Sequence, residues 1–380
     1  RVLGCIGPEI DDYIPIYDSV LDGKELEYLT DCIKKSWVSS TGEYVKKFEQ
    51  KFSEYTGLNG CISTSNGSTA LELAISLCDL NEEDEIIAPD LTFASPINSA
   101  IRSNCKVTLV DVNRDNMCID MELLLKQITN KTKVIIIVNL YGFPFDVRKL
   151  KKIISPNILI VEDCAESLGS FRDGKHCGIY SDFATFSFFG NKTITTGEGG
   201  MLFCANEDKK KEAIVMRDHG MNPKKKYWHE KIGYNFRMTN LQAALGLAQI
   251  EKINKILKSK KKVFENYKQL MTPYGFFFNA DFEINIENSR WLVTTSHKKI
   301  EKFGVEKLEY QLKLLGVDIR KVFYPLSYMP IYSSCKNGIY PNSSYLNSSH
   351  ICLPSSPNLT TDNIENVVNK IIMLLGLEND

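Results

Sequence analysis

Charge of one sign is what this sequence lacks: 46 lysines and arginines face 47 aspartates and glutamates, for a net charge of -1. So even a balance gives no electrostatic case for binding nucleic acid or a membrane surface. The short lysine clusters at Lys209–Lys211, Lys224–Lys226 and Lys258–Lys262 stand among glutamates or helix-patterned residues, which makes them solvated faces. Long apolar runs are also missing, and nothing approaches the ~20 residues of a membrane span. The opening RVLGCIGPEIDDY puts acidic side chains where a signal peptide needs its apolar core. Arg1 in place of an initiator Met reads as a trimmed start. The 11 cysteines form no CxxC or CxxxC pair, so no zinc site is expected, and an odd number of scattered thiols fits a reducing compartment. Together these absences predict a cytoplasmic protein.

What is present is an ordinary globular composition, 43% hydrophobic and 24% charged over 380 residues, enough for a large core and a second, smaller domain. Helical spacing of Leu26, Leu29, Ile33 and Trp37 predicts an amphipathic helix over 24–37, and a second helix follows with Val45, Phe48, Phe52 and Tyr55 on one face, stopped by Gly57. Short apolar runs then read as buried strands: Ile86–Ala88, Val107–Val112, Val134–Val138, Ile158–Val161, Phe183–Phe188 and Met201–Cys204. Helical segments alternate with them, which argues for an α/β domain around a mostly parallel sheet. From Asn240 one long helix is expected to run to about Leu270 and bridge to a smaller α+β domain. The division is placed at 1–250 and 251–380.

Three stretches carry chemistry. In SNGSTALELAISL, Ser68 and Thr69 fall at a helix start whose backbone N–H groups can hold a phosphate, although Ser and Thr are also plain helix caps. In NILIVEDCAESLGS, Asp163 ends a buried strand, where open parallel sheets bind ligands; a helix cap is the other reading. In DFATFSFFGNKTITTGEGGMLFC, Lys192 stands in a turn between two apolar runs, with Ser187 a candidate phosphate donor. Desolvation favours the neutral, nucleophilic form of a buried amine, whereas alone Lys192 could equally be an exposed turn lysine. Phosphate cradle, strand-end carboxylate and enclosed amine together match the needs of one cofactor, pyridoxal 5'-phosphate: an anchored phosphate, an aldehyde bonded to lysine and a protonated ring nitrogen.

At this point the sequence resembles the DegT/DnrJ/EryC1/StrS sugar aminotransferases over nearly its whole length. The likeness runs from KKSWVSSTGEYVKKFEQKFSEYTG through SNGSTALELA, APDLTFASPINSA, VEDCAESLGS, FSFFGNKTITTGEGG and GYNFRMTNLQAALGLAQ to FYPLSYMPIY and ICLPSSPNLT. The resemblance implies the fold-type-I aminotransferase architecture, with a mostly parallel seven-stranded sheet flanked by helices and a smaller α+β C-terminal domain. It implies Lys192 as the cofactor-bonded lysine, Asp163 as partner of the ring nitrogen, Phe93 as the stacking aromatic, and Ser68, Thr69 and Ser187 as the phosphate cradle. Asn235 would reach the phosphate from a neighbouring subunit of a homodimer. Glu166 stands near the cofactor hydroxyl where many members carry Gln or His, and Ser327 stands where many have His, a departure similar to the perosamine-type variant. The implied reaction moves an amino group from L-glutamate to a nucleotide-linked 4-keto-6-deoxyhexose of the perosamine or viosamine type, with His219, Arg237 and Tyr324 as candidate contacts to sugar or nucleotide. Two rivals are a dehydratase using the same cofactor, which Lys192 argues against, and a non-catalytic regulator on the same fold.

Overall fold

The computed structural model describes residues 13–279 and 285–377; residues 1–12 of the opening stretch read above against a signal peptide lie outside them. Its centre is a seven-stranded sheet built from β1 (Ile62–Thr64), β2 (Glu85–Pro89), β3 (Lys106–Val110), β4 (Thr132–Val138), β5 (Leu159–Asp163), β6 (Phe183–Ser187) and β7 (Gly200–Cys204) in the spatial order β1-β7-β6-β5-β4-β2-β3. The pairs from β3 to β6 are parallel, and β7 runs antiparallel to both neighbours, β6 and β1. The run of β-branched residues in β4, Val134 to Val138, is buried on both faces of the sheet, the pattern of a central strand in a helix-covered parallel sheet. β1 had no counterpart in the sequence reading. It is short, and the CIST stretch around it shows no alternation.

Helices pack on this sheet: α1 (Glu25–Lys34), α2 (Glu43–Thr56), α3 (Gly67–Ser76), α4 (Ala94–Arg102), α5 (Met121–Gln127), α6 (Val147–Lys151) and α7 (Glu207–Arg217). In α2 the expected face is buried: Val45, Phe48 and Phe52 face the core, and Gly57 closes the helix with φ 74°. Phe48 and Phe52 meet Phe186 and Phe188 edge to face, with ring centroids 4.9 to 5.7 Å apart. This cluster pins the end of β6, so truncating Phe188 to Ala is expected to cost about 3–5 kcal/mol. α1 differs from expectation. Leu26, Ile33 and Trp37 are 79%, 65% and 53% exposed, while the buried side carries Glu25 and Cys32. Glu25 is turned inward by polar partners: the Gly23 N–H, the Gln249 amide and the Lys252 ammonium.

The long helix expected from Asn240 is two helices, α8 (Asn240–Glu251) and α9 (Ile253–Met271), parted at Lys252. α8 packs on α1 and α2, so closely that a Cβ on Gly246 would lie 2.7 Å from the Phe48 ring. α9 packs instead on α13 of the second layer. That layer holds a four-stranded antiparallel sheet of β8 (Phe277–Phe278), β9 (Val293–Ser296), β10 (Arg320–Lys321) and β11 (His350–Leu353), with α10 (Lys298–Phe303), α11 (Val305–Leu314), α12 (Pro341–Ser349) and α13 (Thr361–Leu375). We propose that the two domains divide at this break. Ile14 bridges to Val317 and joins the α9 and α13 core, so the chain touches the second layer before entering the first. No helix among the described residues is long and apolar enough to cross a membrane. The described cysteines are buried.

Candidate active site

The site forms where strand ends meet the loop between β6 and β7. That loop is tied at its base by the Phe188 N–H to the Gly199 carbonyl at 2.8 Å, and Thr196 N–H returns to the Phe188 carbonyl at 2.9 Å. Lys192 is held within it by its own N–H to the Phe189 carbonyl, 2.9 Å. Its side chain is 13% exposed, with Nζ 3.5 Å from Glu166 Oε1 and 3.8 Å from the centroid of the Trp291 ring.

Asp163 ends β5 and is buried; one carboxylate oxygen accepts the Ala165 N–H at 2.9 Å. Burial raises its carboxyl to about 6, against the lowering pull of that N–H and of the Lys192 ammonium. Glu166 is raised to about 7, again first by burial, although Lys192 faces one oxygen and the Tyr141 N–H donates to the other at 2.9 Å. In both carboxyls desolvation outweighs the nearby positive charge. A cation placed against Asp163 would tip it back to the carboxylate, which suits a partner of a protonated ring nitrogen.

The predicted phosphate cradle is partly taken. Asn66 caps α3, accepting the Thr69 N–H at 2.9 Å, while the Thr69 hydroxyl receives the Asn66 N–H in a closed capping box. Thr69 is therefore committed, and the first-turn amides of Gly67 and Ser68 remain to face a ligand. Ser68 Oγ lies 2.6 Å from Ser95 Oγ. Ser187 is brought to the same place: a Cβ on Gly67 would sit 2.7 Å from the Ser187 Cβ, so only glycine lets the end of β6 approach the helix start. Phe93 precedes α4 with its ring 57% exposed and 5.9 Å from Phe323. An exposed aromatic beside an anion-binding helix start fits a planar, phosphorylated ring between them.

The remaining candidates stand apart. Asn235 is exposed and bridges to Asp218; no hydrogen bond among the described residues ties it to the Lys192 cluster. The neighbouring Phe236 carbonyl accepts the Ser65 N–H at 2.8 Å, which sets Asn235 and Arg237 beside the strand entering α3. Arg237 pairs with Asp218 at 3.0 Å. His219 has φ 60° and donates its N–H to the Tyr234 carbonyl. Tyr324 is 48% exposed, with the Lys321 ammonium over its ring. Ser327 donates its N–H and hydroxyl to the buried Asp90, at 2.8 and 3.1 Å.

Two residues of the cluster were not singled out in the sequence: Tyr141 and Trp291. The sequence signals were a tyrosine before glycine at the end of a buried strand and a tryptophan at the start of another. Behind β5, the donor atoms of Glu162, Cys164 and Cys177 lie within 4.8 Å of one another. Each residue already has a protein partner, Asn139 for the first two and Ser167 for Cys177.

Known proteins match this architecture along most of its length. The chain is 36% identical to the GDP-perosamine synthase of Escherichia coli O157:H7, over 93% of this chain and 96% of that one. It is 34% identical to the GDP-perosamine synthase of Vibrio cholerae, over 94% and 98%. Among solved structures, a putative sugar aminotransferase from Streptococcus pneumoniae in its PLP form superposes with a TM-score of 0.88 at 26% identity, covering 96% of this chain and 98% of that one. A GDP-4-keto-6-deoxymannose-3-dehydratase shares the fold, with a TM-score of 0.87 at 23% identity and coverage of 94% and 100%. The model of the DegT/DnrJ/EryC1/StrS aminotransferase family matches residues 20–372, so the chain belongs to that family and is a pyridoxal-phosphate-dependent aminotransferase.

Proposed function

We propose that the protein transfers the amino group of L-glutamate to a GDP-linked 4-keto-6-deoxyhexose, giving a 4-amino-4,6-dideoxyhexose of the perosamine type. One observation carries this: an enclosed lysine amine facing Glu166, its charge felt by a buried strand-end aspartate, in a chain 36% identical to a GDP-perosamine synthase. Pyridoxal phosphate, when bound, supplies the electron sink that stabilises a carbanion at the substrate carbon.

The chain's own groups do the rest. Gly67 and Ser68 amides, with the Ser68 and Ser187 hydroxyls, hold the phosphate at the α3 start. Phe93 would cover one face of the ring, and Asp163 would accept a hydrogen bond from the ring nitrogen, keeping its proton in place. Glu166 lies near the cofactor hydroxyl and keeps the Lys192 amine oriented. Lys192 Nζ takes the proton from the amino-acid Cα and later delivers one to C4 of the sugar, general acid–base work worth about 10²–10⁴-fold. His219, Arg237 and Tyr324 line the approach for the nucleotide sugar.

A homodimer in the cytoplasm completes the reading. The exposed apolar residues of α1 and its flank, Leu26, Ile33, Trp37 and Val38, support a partner on that face, and Asn235 would serve the neighbouring site. The test is to incubate the yellow holoenzyme with L-glutamate and follow its visible spectrum, then offer GDP-, UDP- and dTDP-linked 4-keto-6-deoxyhexoses with mass detection of the product. A spectral shift and amination of the GDP sugar are expected. Amination of only the other two would overturn the base assignment, and no amination of any would overturn the reaction.

A further inference from the structure

Trp291 has no part in the reaction just described, yet it has the closest aromatic ring to the reactive amine, its centroid 3.8 Å from Lys192 Nζ. The indole is fixed at several points. Its Nε1–H donates to the Asn191 carbonyl at 2.7 Å, one residue before Lys192. Its own carbonyl accepts the Lys260 ammonium at 3.1 Å; Lys260 is 1% exposed and also bonds the Ser355 carbonyl at 3.0 Å. Tyr141 stacks on the indole with centroids 6.0 Å apart and planes 10° from parallel, and Phe323 stacks on Tyr141 at 5.7 Å and 16°. Phe93 follows at 5.9 Å from Phe323. A column of four rings thus runs from the lysine amine to the aromatic proposed to cover the cofactor, and its members come alternately from the second layer and the first.

The middle of the column is under backbone constraint. Tyr141 adopts φ 50° and ψ 24°, a left-handed conformation that residues other than glycine rarely occupy. Its N–H goes to Glu166 and its hydroxyl accepts the Phe323 N–H at 3.1 Å. The unusual backbone therefore places one residue where it meets the carboxylate facing Lys192, the indole over Lys192 and the next ring of the column.

We propose that Trp291 is a positioning residue for Lys192, its ring face holding the amine beside Glu166 while the Tyr141 stack and the Asn191 bond hold the ring and the Lys260 bond holds its backbone. The indole is the best of the aromatic faces for an ammonium, and enclosure strengthens the attraction. The inference rests on Lys192 as the reactive amine, so its test is made on cofactor-free protein and does not depend on turnover.

The test measures the rate at which a small water-soluble acylating reagent modifies Lys192, by peptide mass spectrometry at one fixed pH, in wild type, Trp291→Phe and Trp291→Leu. Phenylalanine and leucine shield the amine with similar bulk, and only phenylalanine keeps a ring face. Modification within about threefold of wild type is expected for Trp291→Phe. For Trp291→Leu it is expected to be about tenfold faster, equivalent to about 1.4 kcal/mol. Equal acceleration in both variants would reduce Trp291 to a steric shield, and no change in either would remove it from the site; each overturns the proposal. Trp291→Met, whose flexible chain fills irregular space, takes the place of the leucine variant if that one does not fold. Lys192→Ala assayed separately tells the two levels apart. Full activity there ends the functional reading, whereas loss of activity with unresponsive Trp291 variants ends this inference alone.

Discussion

The Lys192 cluster and the loop from Asp218 to Arg237 are built on opposite terms. In the cluster, each group comes from a different part of the chain: Asp163 from a strand end, Tyr141 from the turn after β4, Trp291 from the second layer, Lys192 from the β6–β7 loop. Their positions are set by the sheet register and by burial. The loop holds itself together locally, with His219 bonded to Tyr234, Asn222 to Glu230 and Arg237 to Asp218, while Tyr227 and Ile232 are 77% and 94% exposed. Under the proposed function, the contrast separates two tasks. Groups that act on a fixed cofactor need a rigid, desolvated frame, and groups that meet a varying sugar nucleotide can sit where substitution leaves the core intact.

The sharpest way to break that contrast is Lys192→Ala. Turnover should fall by at least ~10³-fold while the thermal unfolding midpoint of the cofactor-free protein stays near wild type. An alanine variant that still turned over normally would show that the cluster is not the reactive one. Asp163→Asn comes next: about 10²-fold lower turnover with the cofactor still bound, because a neutral amide no longer favours a protonated ring nitrogen. A loss of binding with unchanged turnover per bound cofactor would assign Asp163 to anchoring instead.

A third measurement uses pH. Burial raises Asp163 to about 6 and Glu166 to about 7, above the ordinary carboxyl values near 4. The folded protein then keeps protons that the unfolded chain releases. Stability from these groups is fully present below about pH 4 and is lost as pH rises through about 6 to 7. Measured by urea unfolding of the cofactor-free protein, wild type should lose about 3 kcal/mol more than Asp163→Asn between pH 4 and 7.5, a shift of about two units at about 1.4 kcal/mol each. Parallel profiles in the two proteins would mean that Asp163 is solvated, and the cluster would lose its claim to rigidity. The smallest effect belongs to the loop. Arg237→Ala removes a half-exposed ion pair, so KM for the nucleotide sugar should rise about threefold with kcat within about twofold. A large fall in kcat would move Arg237 from the rim into the chemistry.

Much of the architecture was legible because burial writes itself into composition. Runs such as Val134–Val138 can only be strands in a covered sheet, and Gly57 ends α2 as a glycine in the left-handed region should. Lys192 and Asp163 were legible as candidates once each matched a separate need of one cofactor. α1 was misread because spacing shows which residues share a face without showing where that face points. Glu25 turned the helix round, and its partners Gln249 and Lys252 are more than two hundred positions away in the chain. The break at Lys252 carries no glycine or proline to announce it. Tyr141 and Trp291 were missed for a related reason, since their importance lies in a stack between domains and in a backbone conformation, and neither is a property of a short motif.

The antiparallel turn of β7 has a consequence for how such a site can change. Ser187 and Gly200 are paired in the ladder, and the Phe188-to-Gly199 bond closes the loop between them, so the stretch carrying Lys192 is fastened at both ends by backbone bonds. The side chain at 192 contributes nothing to that fastening. A lineage could exchange it, and with it the proposed reaction, without refolding the enzyme; the side chain proposed to react is a replaceable part mounted on a permanent fixture.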